Sequence, residues 1–350
     1  MQFVVFALLF SQLTYDPGSV LPSEMMTRPP ARNSRISLVF YNVENLFYPS
    51  DDPESQDDEF TPEGDRRWTH NRYQNKINHL YKTIIASGHW DPPDVVGFCE
   101  VENKKVLTDL FRETPLSKYN YHIIHYDSGD ERGIDVALAA RRDVFKVWQH
   151  GVLKPTHSSF RLNPTRDVLY VQGGVEHDTL HIFINHWPSR RSGTAETAPL
   201  RMEMARLVRT AIDSLLTRDP FSRIILMGDF NDEPDDPSIG RILGVSSLED
   251  TGPQATDLLC WELRDQPVPG TYKYQGRWYH FDHFFASGAL FSDSAIIRVD
   301  PVSFRVVAPD FLLIEDALYL GKKPFPTYHG FKYEGGFSDH LPIRLELVFH

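Results

Sequence analysis

Apolar residues recur along this chain with two different periods, and the period shows which element each stretch forms. Ile36, Leu38 and Phe40 alternate with their neighbours and predict a strand over 36–43 that delivers Asn42, Glu44 and Asn45 to its end. Tyr73, Ile77, Leu80, Tyr81, Ile84 and Ile85 instead share one helical face, with Gly88 placed to end the helix. Between them, 51–67 is acidic and holds Pro53 and Pro62, as a surface loop does. A strand over 95–99 ends on Glu100, and a short helix with Val106, Leu110 and Phe111 follows. Strand patterns return at 121–126, 134–140, 144–152, 168–175 and 179–185, with the turn signal Gly129-Asp130-Glu131-Arg132-Gly133 before the second of them. Pro199 is placed to open a second long helix over 200–216, with a core-facing stripe through Met204, Leu207, Val208, Ala211 and Leu215. Ile224 to Met227 form a buried strand; Gly228 is expected to turn the backbone there, so that Asp229 and Asn231 emerge beside Asp232 and Glu233. An aromatic strand region over 271–287 holds Asp282 and His283. A long Pro/Gly/aromatic loop covers 324–337, and an alternating strand closes the chain over 341–349.

One local grammar repeats: an apolar strand, an abrupt turn, then acidic, amide or imidazole side chains. It occurs at Asn42/Glu44, Glu100, His186, Asp229/Asn231, Asp282 and Asp339/His340. Asn and Asp also favour turns for their own sake, and a single histidine is more often structural than catalytic. Their number argues for a site, because strand ends in a mostly β protein converge on one rim. Oxygen ligands held there suit a hard cation or a water nucleophile.

The 350 residues allow one large α/β domain or two smaller ones. Apolar content of 41% and charged content of 24% are those of a soluble globular protein, and the net charge of −12 argues against a tight non-specific nucleic-acid binder. Cys99 and Cys260 make neither a disulfide framework nor a zinc site by their spacing. Residues 1–35 read as a signal-like or linker segment ahead of one domain over 36–350. The run Phe3 to Phe10 is too short to span a membrane and resembles the core of a secretory signal, which implies a secreted or periplasmic protein that is not integral to the membrane. It lacks basic residues before it and a small-residue cleavage site after it; a true start at Met25 or Met26 implies a cytoplasmic one.

Taken together and in order, Asn42-Val43-Glu44-Asn45, the Glu100 strand end, Asn185-His186-Trp187-Pro188-Ser189, Gly228-Asp229-Phe230-Asn231, Phe281-Asp282 and Ser338-Asp339-His340 resemble the endonuclease/exonuclease/phosphatase superfamily over about 36–349. The resemblance implies a four-layer α/β/β/α sandwich with two stacked mixed sheets and a divalent-metal-dependent phosphoesterase site, using Mg²⁺, or Mn²⁺ or Ca²⁺ in its place. It implies Glu100 as the main metal carboxylate, with Glu44 and Asp339 on the metal side and Asn42 beside them toward the substrate. Asp229 and Asn231 are implied to orient or activate water, and His340, paired with Asp282, to meet the scissile phosphate. His186 resembles the motif of deoxyribonucleases, secreted bacterial nucleases, sphingomyelinases and inositol-phosphate phosphatases; by the deoxyribonuclease pattern Glu131 partners His186 and Arg166 binds phosphate. Arg190 and Arg191 are cationic and close to His186, but arginine pairs on loops are more often just solvated. Glu102 and Asn103 stand where that pattern has a minor-groove arginine, a departure that weakens a duplex-reading role. The expectation is a phosphodiester hydrolase, a nuclease first, with nucleic acid as substrate and no stable protein partner. The alternative is a phosphatase or phosphodiesterase acting on a small phosphorylated metabolite, inositol phosphate or phospholipid head group. A catalytically dead binding protein on the same fold is the third class. Tyr328, Phe331, Tyr333 and Phe337 are either a stacking surface or a packed lid.

Overall fold

The computed structural model describes residues 14–15, 35–53, 55–156, 164–175, 178–249, 254–261, 265–292 and 295–349; the run Phe3 to Phe10, Met25 and Met26 lie outside them. In chain order it contains β1 (Arg35–Leu46), α1 (His70–Ser87), β2 (Val95–Val101), α2 (Lys104–Arg112), β3 (Tyr121–His125), β4 (Asp135–Arg141), β5 (Lys146–Leu153), β6 (Val168–Val175), β7 (Asp178–His186), α3 (Thr194–Arg218) and β8 (Arg223–Asp229). The last third adds β9 (Val245–Ser247), β10 (Leu258–Cys260), β11 (Tyr272–Tyr274), β12 (Arg277–Tyr279), β13 (Asp282–Ser287), β14 (Ile297–Val299) and β15 (Ile343–Phe349).

One sheet runs β14-β15-β1-β2-β4-β3, with Arg305–Val306 also on β15; the other runs from Thr14–Tyr15 through β5-β6-β7-β8-β13-β10-β9. Both are mixed. In each, the central pair is parallel, β1 with β2 and β7 with β8. A parallel pair needs a crossover rather than a tight turn, and α1 and α3 supply it.

Alternating side chains of each strand sort into separate cores. Ile36, Leu38 and Phe40 meet Ile184, Ile225 and Met227 between the sheets. Val39, Tyr41 and Val43 pack outward on Tyr73, Ile77, Leu80 and Ile84 of α1 and on Leu110 of α2. Phe183, Ile224 and Leu226 pack outward on Met204, Val208 and Ala211 of α3. The result is the expected α/β/β/α sandwich. Burial of both strand faces is why 224–227 reads as an unbroken apolar run. Among the described residues, no helix is long and apolar enough to cross a membrane.

Three expectations need correction. Gly228 does not turn the chain; it lies inside β8, where a Cβ would stand 2.6 Å from the Cβ of Asn185 on the parallel neighbour. The turn comes at Asn231, whose φ is 51°. Pro199 does not open α3, which begins five residues earlier at Thr194. The buried Arg201 donates to Thr194 O at 3.2 Å and Thr197 Oγ1 at 2.7 Å within those first turns and ties them to Asp232 Oδ1 at 2.7 Å and Pro188 O at 3.3 Å, so tertiary anchoring overrides the breaker. Finally, 324–337 is not a featureless loop: Tyr328–His329 pairs with Lys332–Tyr333, and Tyr328 and Phe337 are buried while Phe331 is exposed.

Candidate active site

The candidate residues collect where the central parallel pairs of the two sheets end. The ladders break between Asn42 and Leu46 and between Cys99 and Val101, as at a β-bulge. Glu44, Asn45 and Glu100 sit in those breaks with φ of 50°, 52° and 61°, and Asn231 follows β8 at 51°. Non-glycine residues rarely hold the left-handed region, and such strain gathers at functional sites because it re-aims side chains.

Asp229 is the hub. Its Cα pairs with His186 on the parallel side and with Asp282 on the antiparallel side. Oδ1 accepts the Asn231 amide at 3.0 Å, and Oδ2 accepts Asn42 Nδ2 at 3.0 Å. Asn42 is itself oriented, because its Oδ1 takes the Glu44 amide at 3.0 Å. His186 Nε2 and His340 Nε2 stand 3.7 Å and 3.8 Å from the same Oδ2. His340 Nδ1 lies 2.8 Å from Asp282 Oδ2, and the ring stacks on Tyr272 at 4.7 Å. Asn231 Nδ2 and Arg166 Nη2 both donate to Trp187 O, at 3.1 and 2.9 Å. Sequence alone did not single out Tyr272, whose only signal was its place in the aromatic stretch.

The structure separates the expected metal carboxylates. Glu100 Oε2 accepts the Asn45 amide at 2.9 Å, while Oε1 lies 3.9 Å from His186 Nε2. Asp339 is half-buried. No lysine or arginine stands within ion-pair distance of Glu100 or Asp339 among the described residues. Glu44 does something other than expected: its two oxygens accept the amides of Thr327 and Tyr328, at 2.6 and 3.1 Å. Beside it the buried Lys76 donates to Thr327 Oγ1 and Phe337 O, both at 2.6 Å. Ser338 then donates to Asn42 O at 2.8 Å, so the segment that delivers Asp339 and His340 is tied to β1 and α1.

The expected Glu131–His186 pairing is absent. Glu131 is exposed, and its neighbour Asp130 is the carboxylate that turns inward, to Arg166 Nη1 at 2.9 Å. Arg166 is thereby buried in the floor of the site. Arg132, passed over in the turn signal, faces Glu100, Asp130 and Arg166 and adds positive potential at His186. Arg190 is not solvated but pairs with Asp232 and Asp236 at 2.8 and 2.6 Å; Arg191 is exposed. Glu102 accepts the Tyr48 amide and Asn103 caps α2, so both are structural.

Burial alone would depress His340, but the carboxylates of Asp282 and Asp229 outweigh it and hold the imidazole well above its usual range. His186 moves the other way: burial, with Arg166, Arg132 and His340 as like charges, holds it well below. Asp229 is pushed up to about 7 by burial and by Asp282, against the pull of His340, the Asn231 amide and Asn42. Burial and the charges of Glu100 and Asp229 likewise raise Asp339. At neutral pH the site thus holds one cationic and one neutral histidine around a carboxylate poised to exchange a proton.

Residues 37–348 match the Endonuclease/Exonuclease/phosphatase family. The chain belongs to this family. That makes it a phosphoesterase by family. No curated protein is significantly similar to it in sequence. Its fold is similar to D. rerio TDP2 complexed with single strand DNA product (16% identity, TM-score 0.53, covering 90% of this chain and 99% of that one). It is similar also to the human Nocturnin catalytic domain (14%, 0.54, 91% and 96%). A mannosyl-6-phosphatase of Bacteroides thetaiotaomicron is a third (17%, 0.54, 90% and 100%).

Family enzymes generally use a divalent metal, and the donor chemistry here fits one. Glu100 and Asp339 have no lysine or arginine within ion-pair distance among the described residues, and burial, with the charges of Glu100 and Asp229 added to it, raises Asp339. A hard dication is the group that offsets those charges.

Proposed function

We propose that this protein is a divalent-metal-dependent phosphodiesterase acting on nucleic acid, a nuclease. One observation carries the reading: the Nε2 atoms of His186 and His340 stand 3.7 and 3.8 Å from one oxygen of Asp229, with Asp282 held 2.8 Å from the other nitrogen of His340. Glu100 and Asp339 would hold the ion, which when bound neutralises charge on the phosphate and on the departing oxygen. Asp229, fixed by Asn42 and Asn231, orients the attacking water and takes its proton; at about 7 it is basic enough to do so. His340, kept as imidazolium by Asp282, donates from Nε2 to a phosphate oxygen. Neutral His186 donates a second hydrogen bond, and Arg166 and Arg132 raise the local positive potential. Exposed Tyr274, two residues from the Tyr272 that bridges to His340, and exposed Phe331, nine residues ahead of His340 in the chain, offer π faces for unpaired bases. The DNA product held by D. rerio TDP2 on this fold supports that substrate class.

A small phosphorylated metabolite or phospholipid head group is the second reading, favoured by the structural duties of Glu102 and Asn103 and by the charge of −12. Single-stranded and duplex nucleic acid, sugar and inositol phosphates and phospholipid vesicles, each with Mg²⁺ and with EDTA, separate the two. Cleavage of nucleic acid that EDTA and His340→Ala both abolish is the expected result. Near-wild-type turnover of bis-p-nitrophenyl phosphate by His340→Ala would overturn the assignment.

A further inference from the structure

Beneath the oxygen-rich rim lies a different set of donors. Cys99 closes the regular part of β2, one residue before the Glu100 bulge, and its side chain belongs to the core between the sheets. From the facing sheet, the ends of β7 and β8 bring His186 and Asp229 against it. The Cys99 sulfur, a ring nitrogen of His186 and a carboxylate oxygen of Asp229 all lie within 4.8 Å of one another, and all three residues are buried. His186 is 2% exposed, and among the described residues its Nδ1 has no hydrogen-bond partner, while its Nε2 faces Asp229 Oδ2 at 3.7 Å, beyond hydrogen-bond reach. A buried ring held without hydrogen bonds is costly in a packed interior, and a metal at Nε2, the nitrogen that faces Asp229, relieves part of that cost.

We propose that Cys99, His186 and Asp229 form a second metal site, selective for a borderline ion such as zinc, whose occupation shuts the active site down. The selectivity follows from the donors. Zinc accepts thiolate, imidazole and carboxylate together and keeps a fourth position for water, whereas Mg²⁺ requires oxygen and has no use for Cys99. Tetrahedral zinc, with ligand distances of about 2.0–2.3 Å, wants its donors about 3.5 Å apart. His186 Nε2 and Asp229 Oδ2 already stand at 3.7 Å, so closure needs small side-chain rotations and no change of strand register. Binding is a proton exchange: the sulfur–zinc bond forms as the thiol proton leaves to solvent, and nothing is oxidised.

The inhibitory half rests on the proposed roles of Asp229 and His186; the binding half does not. The test therefore reads binding without substrate. Metal-free protein titrated with Co²⁺ is expected to develop a near-ultraviolet thiolate-to-cobalt charge-transfer band that zinc abolishes. Cys260→Ser should retain the band, while Cys99→Ala and Cys99→Ser should lose it. In Mg²⁺-supported hydrolysis of bis-p-nitrophenyl phosphate, Cys99→Ala should keep turnover within about twofold of wild type and raise the zinc concentration for half-inhibition at least about tenfold. A band absent from wild type or surviving in both Cys99 variants, or equal zinc sensitivity of wild type and Cys99→Ala, overturns the proposal. A band lost with Cys99 from a protein that hydrolyses nothing keeps the site and overturns its inhibitory role.

Discussion

Lys76→Met removes one ammonium from the interior and leaves its aliphatic stem nearly unchanged. Nζ donates to Thr327 Oγ1 and Phe337 O, both at 2.6 Å. Hydrogen bonds from a charged donor contribute about 1.5–3 kcal/mol each, so roughly 3–6 kcal/mol is lost in gross terms. Relief from burying the ammonium offsets part of it, and a net loss of about 2–4 kcal/mol remains. A second contribution comes through Glu44, which is pushed up to about 7 by burial and by Asp339, with Lys76 pulling it down. A carboxyl whose folded pKa lies above its unfolded value binds extra protons in the native state between the two, so stability falls as pH rises through that window. Without Lys76 the window widens upward, and the variant should suffer more at pH 7.5 than at pH 5.5. Thermal unfolding at both values should show a Tm lowered by about 4–8 °C at the higher pH and by less at the lower one. Adding Glu44→Gln, which keeps an acceptor and removes the charge, should recover much of the difference. Equal losses at the two pH values, or no rescue by the double substitution, would refute the view that these two residues jointly clamp the segment leading into Asp339 and His340.

Asp282→Asn should cut turnover at pH 7.5 by about 10²–10⁴ and move the alkaline limb of the pH–rate profile to lower pH. The charge that lifts His340 is then gone, and the imidazolium loses its proton sooner. An alkaline limb that stays in place would show that His340 does not act as the cation. Gly228→Ala should destabilise the fold by about 1–3 kcal/mol, since its Cβ would stand 2.6 Å from Asn185 Cβ and force β7 from β8. Calorimetry checks the stability, and a Tm equal to wild type would mean the two strands separate freely.

Much of the fold could be read from hydrophobic period alone, because a strand buried on both faces and a helix buried on one leave different signatures. The strand ends at Asn42, Glu100, His186 and Asp229 were legible for the same reason. What stayed hidden depends on backbone turns and on partners distant in sequence. Asp130 and Glu131 are adjacent carboxylates, and the turn's conformation, not its composition, sends the first to Arg166 and the second to solvent. Lys76 lies on the apolar face of α1, three residues after Tyr73 and four before Leu80; a lysine there ordinarily reads as a stem covering core with its head in water. Only the arrival of 327–337 supplies its acceptors. Gly228 was conspicuous, but a glycine that admits a neighbouring strand and one that turns the chain look alike in sequence.

The pairing of Asp229 with His186 on one side and Asp282 on the other has a further consequence. Three neighbouring strands place one ionisable group each in a single transverse row, spaced by the sheet's own interstrand distance of about 4.8 Å. A shift of any of the three by one residue would send its group to the opposite face and break the row. Correct alignment of the ladder and assembly of the proposed active site are thus a single event in folding. A molecule of this kind acquires its chemistry when its β8 neighbours lock, while the surrounding loops stay free to diverge toward different phosphate esters.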